Sequence, residues 1–135
     1  ISGDIAAERA LEELTFHCPA NPSPPRRVDE HRLWLERHGK EDRAAWFLLA
    51  ARDAGVPLDQ EIDWLGATEL APAAANSLIV LLEKGNRATR LAVDRRLAAL
   101  SGIDLPPLGA TALPDEVEKR AEAWRTWLSG RDGGR

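Results

Sequence analysis

Residues 72–102 decide the fold class; they read Pro72-Ala-Ala-Ala-Asn-Ser-Leu-Ile-Val-Leu-Leu-Glu-Lys-Gly85 followed by Asn86-Arg-Ala-Thr-Arg-Leu-Ala-Val-Asp-Arg-Arg-Leu-Ala-Ala-Leu-Ser-Gly102. The first segment predicts a strongly apolar helix over Pro72 to Lys84, and Gly85 ends it because glycine is common just past a helix C-terminus. Asn86 is a good N-cap for the next helix, which runs to Gly102. No stretch of the chain shows the apolar-polar alternation of a strand. The sequence therefore predicts an all-α protein.

About seven helices are expected in total. The other five are predicted at Asp4–Thr15 with Asp4 as N-cap, from about Asp29 to Gly39, at 41–54, at 57–66, and from Pro114 onward. Two proline-rich stretches, 19–25 and 104–113, are expected to be irregular, because proline lacks the N–H that a helix interior needs. Residues 129–135 are expected to form a frayed tail.

Length and composition limit the class of protein. The chain has 135 residues, which favours a single domain. A hydrophobic share of 44% with 30% charged residues excludes a disordered chain, and no apolar run approaches the roughly 18 residues of a transmembrane segment. The net charge of −4 argues against a general nucleic-acid or anionic-membrane binder. The single cysteine cannot form an internal disulfide and leaves the compartment undecided.

The sequence contains no methionine and begins at Ile1, so we expect a processed protein or a piece of a longer chain.

A degenerate internal repeat links the two ends of the chain. Leu11-x-x-Leu14-Thr15, a proline-rich loop and Trp34-Leu35 recur as Leu97-x-x-Leu100-Ser101, a proline-rich loop and Trp127-Leu128. The separation is about two units of the roughly 40-residue helix pairs that build α-solenoids. The pattern favours stacked helical repeats.

These segments resemble HEAT-repeat proteins of bacteria. Residues 86–102 are similar to the second helix of a HEAT-type repeat, and Ala123-Trp-Arg-Thr-Trp-Leu128 is similar to the segment that closes many such arrays. The resemblance covers residues 72–128 and, in a weaker copy, 4–55. It implies irregularly stacked helix pairs with a tryptophan-rich terminal cap. Phe16 stands where Gly102 stands in the later copy.

All three histidines and the cysteine lie close together in sequence, at His17, Cys18, His31 and His38. Imidazole and thiolate groups are good ligands for zinc or copper. The spacing matches no metal motif, and His31 and His38 lie two helical turns apart, roughly 10 Å along the axis. We therefore expect no metal and no cofactor, with a site at these four residues as the alternative.

Catalytic motifs are missing from the sequence. It contains no Gly-x-Ser-x-Gly, His-Glu-x-x-His or phosphate-binding glycine loop. Cys18 adjoins His17, but neighbours in an extended loop usually point apart, whereas a catalytic pair needs hydrogen-bond reach. We expect no catalytic residues and no enzymatic activity.

The remaining features predict an interaction surface. Arg87 and Arg90 share one face of their helix and Arg95 flanks it, while Trp124 and Trp127 lie on one stripe of the last helix. The tryptophans fit either a capping role or a partner-binding site together with the arginines. The sequence thus predicts a protein-protein interaction or scaffold module, an accessory subunit of a larger assembly with another protein as partner. A nucleic-acid-binding HEAT-like domain is the alternative.

Overall fold

The computed structural model describes residues 2–19, 23–106, 108 and 112–133. Its helices are α1 (Ser2–Thr15), α2 (Pro24–His38), α3 (Arg43–Asp53), α4 (Pro72–Lys84), α5 (Arg87–Ser101) and α6 (Pro114–Gly133). The described residues contain these six helices and no strand, so the all-α prediction is confirmed. None of the described helices is both long and apolar enough to cross a membrane.

The predicted helix over 57–66 is wrong, because residues 54–71 form turns and irregular backbone. The Asp59 carboxylate accepts the N–H of Glu61 at 2.9 Å, and the Asp63 carboxylate accepts that of Gly66 at 3.1 Å. Such short side chains compete with the i−4 carbonyls that a helix would use. Trp64 anchors the segment, being only 4% exposed and donating its indole N–H to the Asp59 carbonyl at 2.8 Å.

Three predicted boundaries also need correction. Pro24 and Pro25 are the first residues of α2 rather than part of an extended loop, because the first helical turn needs no partner for the missing N–H. The helix α6 continues to Gly133, so most of the expected tail 129–135 is helical. At the other end α1 has begun by Ser2, ahead of Asp4. Residues 20–22, 134 and 135 lie outside the described part of the chain.

The core is built around α4, which packs against both α5 and α6. One face of α4 is buried through Ala74, Ala75, Leu78, Ile79, Leu81 and Leu82. Complete burial stabilises a leucine or isoleucine by about 1.5–3 kcal/mol, and four such side chains on this face are fully buried. The helix α1 packs against α3 and α5 and joins the first half of the chain to this core.

The helices α1 and α5 end in the same way. Gly102 follows α5 in the left-handed conformation with φ 73°, and Phe16 follows α1 with φ 59°. This conformation costs a residue other than glycine roughly 1–2 kcal/mol. The Phe16 ring is fully buried against the edge of Phe47, with 5.2 Å between centroids, and its burial offsets that cost.

The helix α2 lies at the periphery. His31 is its only buried side chain among those described. Val28 and Leu33 are 57% and 59% exposed. Arg27 joins α2 to α1 through Glu8, with 3.3 Å between Nε and Oε1.

Candidate functional site

Trp124 lies in the core, and Trp127 lies beside it. Trp124 is fully buried, and its indole N–H donates to the Asp94 carboxylate of α5 at 2.9 Å. Asp94 also binds Arg120 of α6, with 2.5 Å between Oδ2 and Nη1. Trp127 is half-buried and meets the Trp124 ring edge-on at 6.1 Å. Trp124 is therefore a core residue, and Trp127 packs beside it.

Arg87 and Arg90 are partly buried and donate hydrogen bonds to other helices. Arg87 donates its Nε to the buried Glu12 carboxylate of α1 at 2.9 Å. Arg90 donates to the carbonyl oxygens of Leu82 and Gly85 at the end of α4, at 3.2 and 3.3 Å. Arg87 therefore links α5 to α1, and Arg90 links α5 to α4. The carbonyl oxygens that Arg90 binds lie at a helix C-terminus, where they lack partners within the helix.

Arg95 is the most exposed member of the predicted partner-binding set, with its side chain 69% exposed against 36% for Arg87. It lies on the rim of a groove of about 290 Å³ with Arg43 at the start of α3 and Arg96 on α5. We call this the arginine groove. Its remaining lining residues are Glu13, Leu65, Ala88, Leu91 and Ala92.

Arg43 is fixed in the groove by three contacts. Its Nε and Nη2 donate to the carbonyl oxygens of Leu14 and Glu13 at 3.3 and 3.1 Å. Its guanidinium carbon lies 4.4 Å above the centre of the Phe16 ring, a cation-π contact. Burial, and then the positive charge of Arg95, lower the pKa of Arg43. The positive charges of Arg43 and Arg95 are therefore close enough to repel each other.

Arg96 is fixed by the irregular segment 54–71. Its Nε donates to the Trp64 carbonyl at 2.8 Å and its Nη2 donates to the Ala67 carbonyl.

In the described part of the chain neither Arg43 nor Arg96 forms an ion pair, and Arg95 has only Glu13 at 3.6 Å. The lining thus carries three guanidinium groups and one carboxylate, a local positive surplus on an acidic protein.

The histidines form a second candidate region, an aromatic cluster of His17, His31, Trp34, His38 and Trp46. His17 stacks on Trp34 at 4.9 Å and meets His31 edge-on at 5.2 Å. Trp34 also contacts His38 at 5.1 Å and Trp46 at 5.7 Å. This aromatic cluster attaches α2 to the end of α1 and to α3.

Burial disfavours the charged forms of His17 and His31. Burial, then the neighbouring His31, lower the pKa of His17, and burial lowers that of His31. Both ring nitrogens of His31 lack a hydrogen-bond partner among the described residues. Burial raises the pKa of the Cys18 thiol, which leaves it protonated and poorly nucleophilic at neutral pH.

The four alternative metal ligands are not brought together as one ligand set. Within the described ranges, no three His, Cys, Asp or Glu side chains are placed to hold a metal ion. His17 and His31 meet ring edge to ring face, whereas His38 turns to the Glu41 carboxylate, with 2.9 Å between Nδ1 and Oε1.

Sequence reasoning missed Arg43 and Arg96 as lining residues of the groove. One signal was present on α5, where Ala88, Ala92, Arg95 and Arg96 fall at helical spacing on one side. Small residues there leave room beside the arginines. Arg43 carries no such signal, because its position in the groove depends on how α3 packs against the end of α1.

Comparisons with protein-family models, with curated proteins and with solved structures find no match to this chain. The similarity to HEAT repeats therefore stays a resemblance between sequences.

Proposed function

We propose that this chain is a non-enzymatic protein-interaction module, an accessory subunit that offers the arginine groove to a partner protein. The observation that carries the proposal is the surplus of positive charge there: Arg43 and Arg96 are anchored by main-chain carbonyls, without an ion pair in the described chain. Arginine is among the residues that dominate binding energy at protein interfaces. Arg43 and Arg95 are both exposed to a partner, whereas Arg96 is partly buried.

The scaffold is proposed to be an irregular HEAT-like stack of helix pairs. Two parallels in chain order between α1–α2 and α5–α6 support it, and the stack is irregular because α1 packs on α3 and α5, and α6 packs on α4. In each pair the first helix ends at a left-handed residue, Phe16 or Gly102. The second helix then begins at a proline, Pro24 or Pro114.

Affinity purification followed by reconstitution tests the function. The tagged protein, its R95E variant and the control variant R32E are used as bait in extract from the source cells, and any captured protein is then purified and remixed. Arg32 is a matched control, because its side chain is 68% exposed and its ion pair, with Asp29, lies within α2. We expect a stoichiometric complex with the unmodified chain and R32E, and its loss with R95E.

Two outcomes contradict the proposal. One is that no stoichiometric protein partner is recovered. The other is a complex that R95E forms as well as R32E, which would place the binding surface elsewhere. Because surface ion pairs contribute only about 0–1 kcal/mol, R95E should remain folded, which circular dichroism verifies.

A further inference from the structure

We infer that the arginine groove receives an acidic, amphipathic segment of the partner, with carboxylates on the guanidinium groups and an apolar side chain on the groove floor. The inference rests on the proposed function and deepens it by naming the partner's chemistry. It starts from charge complementarity. The whole chain carries −4, yet the groove lining holds three arginines and one glutamate.

The guanidinium groups are positioned to donate hydrogen bonds to the carboxylates of a ligand. Each has five N–H donors, and the main-chain bonds of Arg43 and Arg96 use only Nε and Nη2. The Nη1 groups of both have no partner among the described residues. Since these side chains are already immobilised, little conformational entropy is lost when a ligand binds. Arginine also binds carboxylates through two parallel hydrogen bonds, which fixes the orientation of the ligand.

The groove floor selects an apolar side chain. Leu65, Leu91 and Ala92 line it and are partly exposed. The volume of about 290 Å³ lies just below the usual range for binding pockets, about 300–1,000 Å³. It therefore suits a short segment with one inserted side chain.

Glu13 marks where a ligand carboxylate would lie. Its Oε1 is 3.6 Å from Nη2 of Arg95, and its side chain is 43% exposed. An exposed pair of this kind contributes little to stability, so an incoming carboxylate displaces it at little cost. Glu13 therefore acts as a weak internal competitor, and its removal should strengthen binding.

A nucleic acid fits the groove less well. Affinity for a duplex depends mainly on many phosphate contacts that release counterions. Here three arginines lie around one compact groove on a chain of charge −4, which offers few such contacts and repels the rest of a polyanion. A DNA duplex is therefore the competing probe in the test.

Fluorescence anisotropy with purified protein tests the inference. The probe is a labelled synthetic peptide that repeats Glu-Leu-Asp, and its comparison is the isosteric peptide that repeats Gln-Leu-Asn. We expect the acidic peptide to bind about tenfold more tightly than the neutral one, as a charge-assisted contact worth about 1.4 kcal/mol predicts. R95E should weaken binding of the acidic peptide by at least about tenfold, R32E should leave it unchanged, and E13Q should strengthen it several-fold.

Equal binding of the two peptides, or unchanged binding by R95E, overturns the inference, as does tighter binding of a random-sequence DNA duplex. R95Q serves as a second variant in case R95E misfolds, and it should also weaken binding. The two proposals fail separately. A protein complex that needs Arg95 while the acidic peptide does not bind overturns only the partner chemistry. Peptide binding without any recoverable protein partner overturns only the interaction function.

Discussion

Removing the Asp94 carboxylate should cost more stability than removing any exposed acidic group. Asp94 is 5% exposed and accepts hydrogen bonds from Nε1 of Trp124 at 2.9 Å and from Nη1 of Arg120 at 2.5 Å. In D94A the indole N–H would remain in the core without an acceptor, because Trp124 is fully buried. Arg120 would lose its only ion pair within the described chain.

The magnitude follows from these two losses. An orphaned buried donor costs about 1–3 kcal/mol, and loss of a hydrogen bond between charged groups costs about 1.5–3 kcal/mol. Arg120 keeps its bond to the Pro106 carbonyl, so the second loss falls at the low end of its range. We expect about 2.5–4.5 kcal/mol for D94A, which for a chain of this size lowers Tm by roughly 9–16 °C.

Chemical denaturation monitored by circular dichroism gives the free energy of unfolding. D94N should lose less than D94A, because the amide oxygen still accepts from Trp124. E36A is the control, since Glu36 is exposed on α2, and should change stability by less than about 0.5 kcal/mol. In a W124F background, which has no indole N–H, the cost of D94A should fall by about 1–3 kcal/mol. A cost of D94A below 1 kcal/mol, or no coupling with W124F, would refute the reasoning.

Three further predictions concern acidification, the end of α5 and the start of α5. The pKa values of His17 and His31 are lowered from 6.5 in the folded protein, so the unfolded chain binds more protons and stability should fall as the pH drops through about 6.5. Urea titrations at several pH values check this, and H31F should flatten the profile, whereas an unchanged profile would show that His31 does not contribute. Gly102 has φ 73° and open space around it, so G102A should cost about 1–2 kcal/mol through backbone strain alone, and a Tm equal to that of the unmodified chain would contradict it. The Asn86 side chain accepts the Thr89 N–H at 2.8 Å and donates to the Phe16 carbonyl at 2.7 Å; N86D keeps the cap and should cost about 1 kcal/mol, whereas N86A should cost about 2 kcal/mol. Equal denaturation midpoints for N86D and N86A would show that the cap itself contributes nothing.

The parts of the fold that could be predicted are those fixed by local chemistry. Pro72 and Gly85 delimit α4 as expected, and Asn86 caps α5 through the Thr89 N–H. The helix prediction for residues 57–66 was wrong because the conformation of this segment depends on a group distant in the sequence. Arg96, about thirty residues further along the chain, donates to the carbonyls of Trp64 and Ala67, and no local pattern shows that bond.

The candidate sites were predictable only in part, for the same reason. The sequence places three histidines near one another, but the contacts of Trp34 with His17 and with Trp46 appear only when α2 meets the end of α1 and α3. The spacing of His31, Trp34 and His38 on one face of α2 was the available signal. The exposure of the arginine side chains on α5 was harder to predict, because it depends on the partner that each side chain finds. Arg87 binds a buried carboxylate, whereas Arg95 extends into solvent.

The peripheral position of α2 has a consequence for how the molecule opens. Helices held by few buried side chains unfold locally at lower free energy than those in the core. With His31 as its only buried residue among those described, α2 should open while α4 stays closed, and its amide hydrogens should exchange with deuterium first. Such an opening would expose Trp34 to water ahead of global unfolding. The protein would then have two levels of cooperativity, an early-opening helix and a core that exchanges only when the whole chain unfolds.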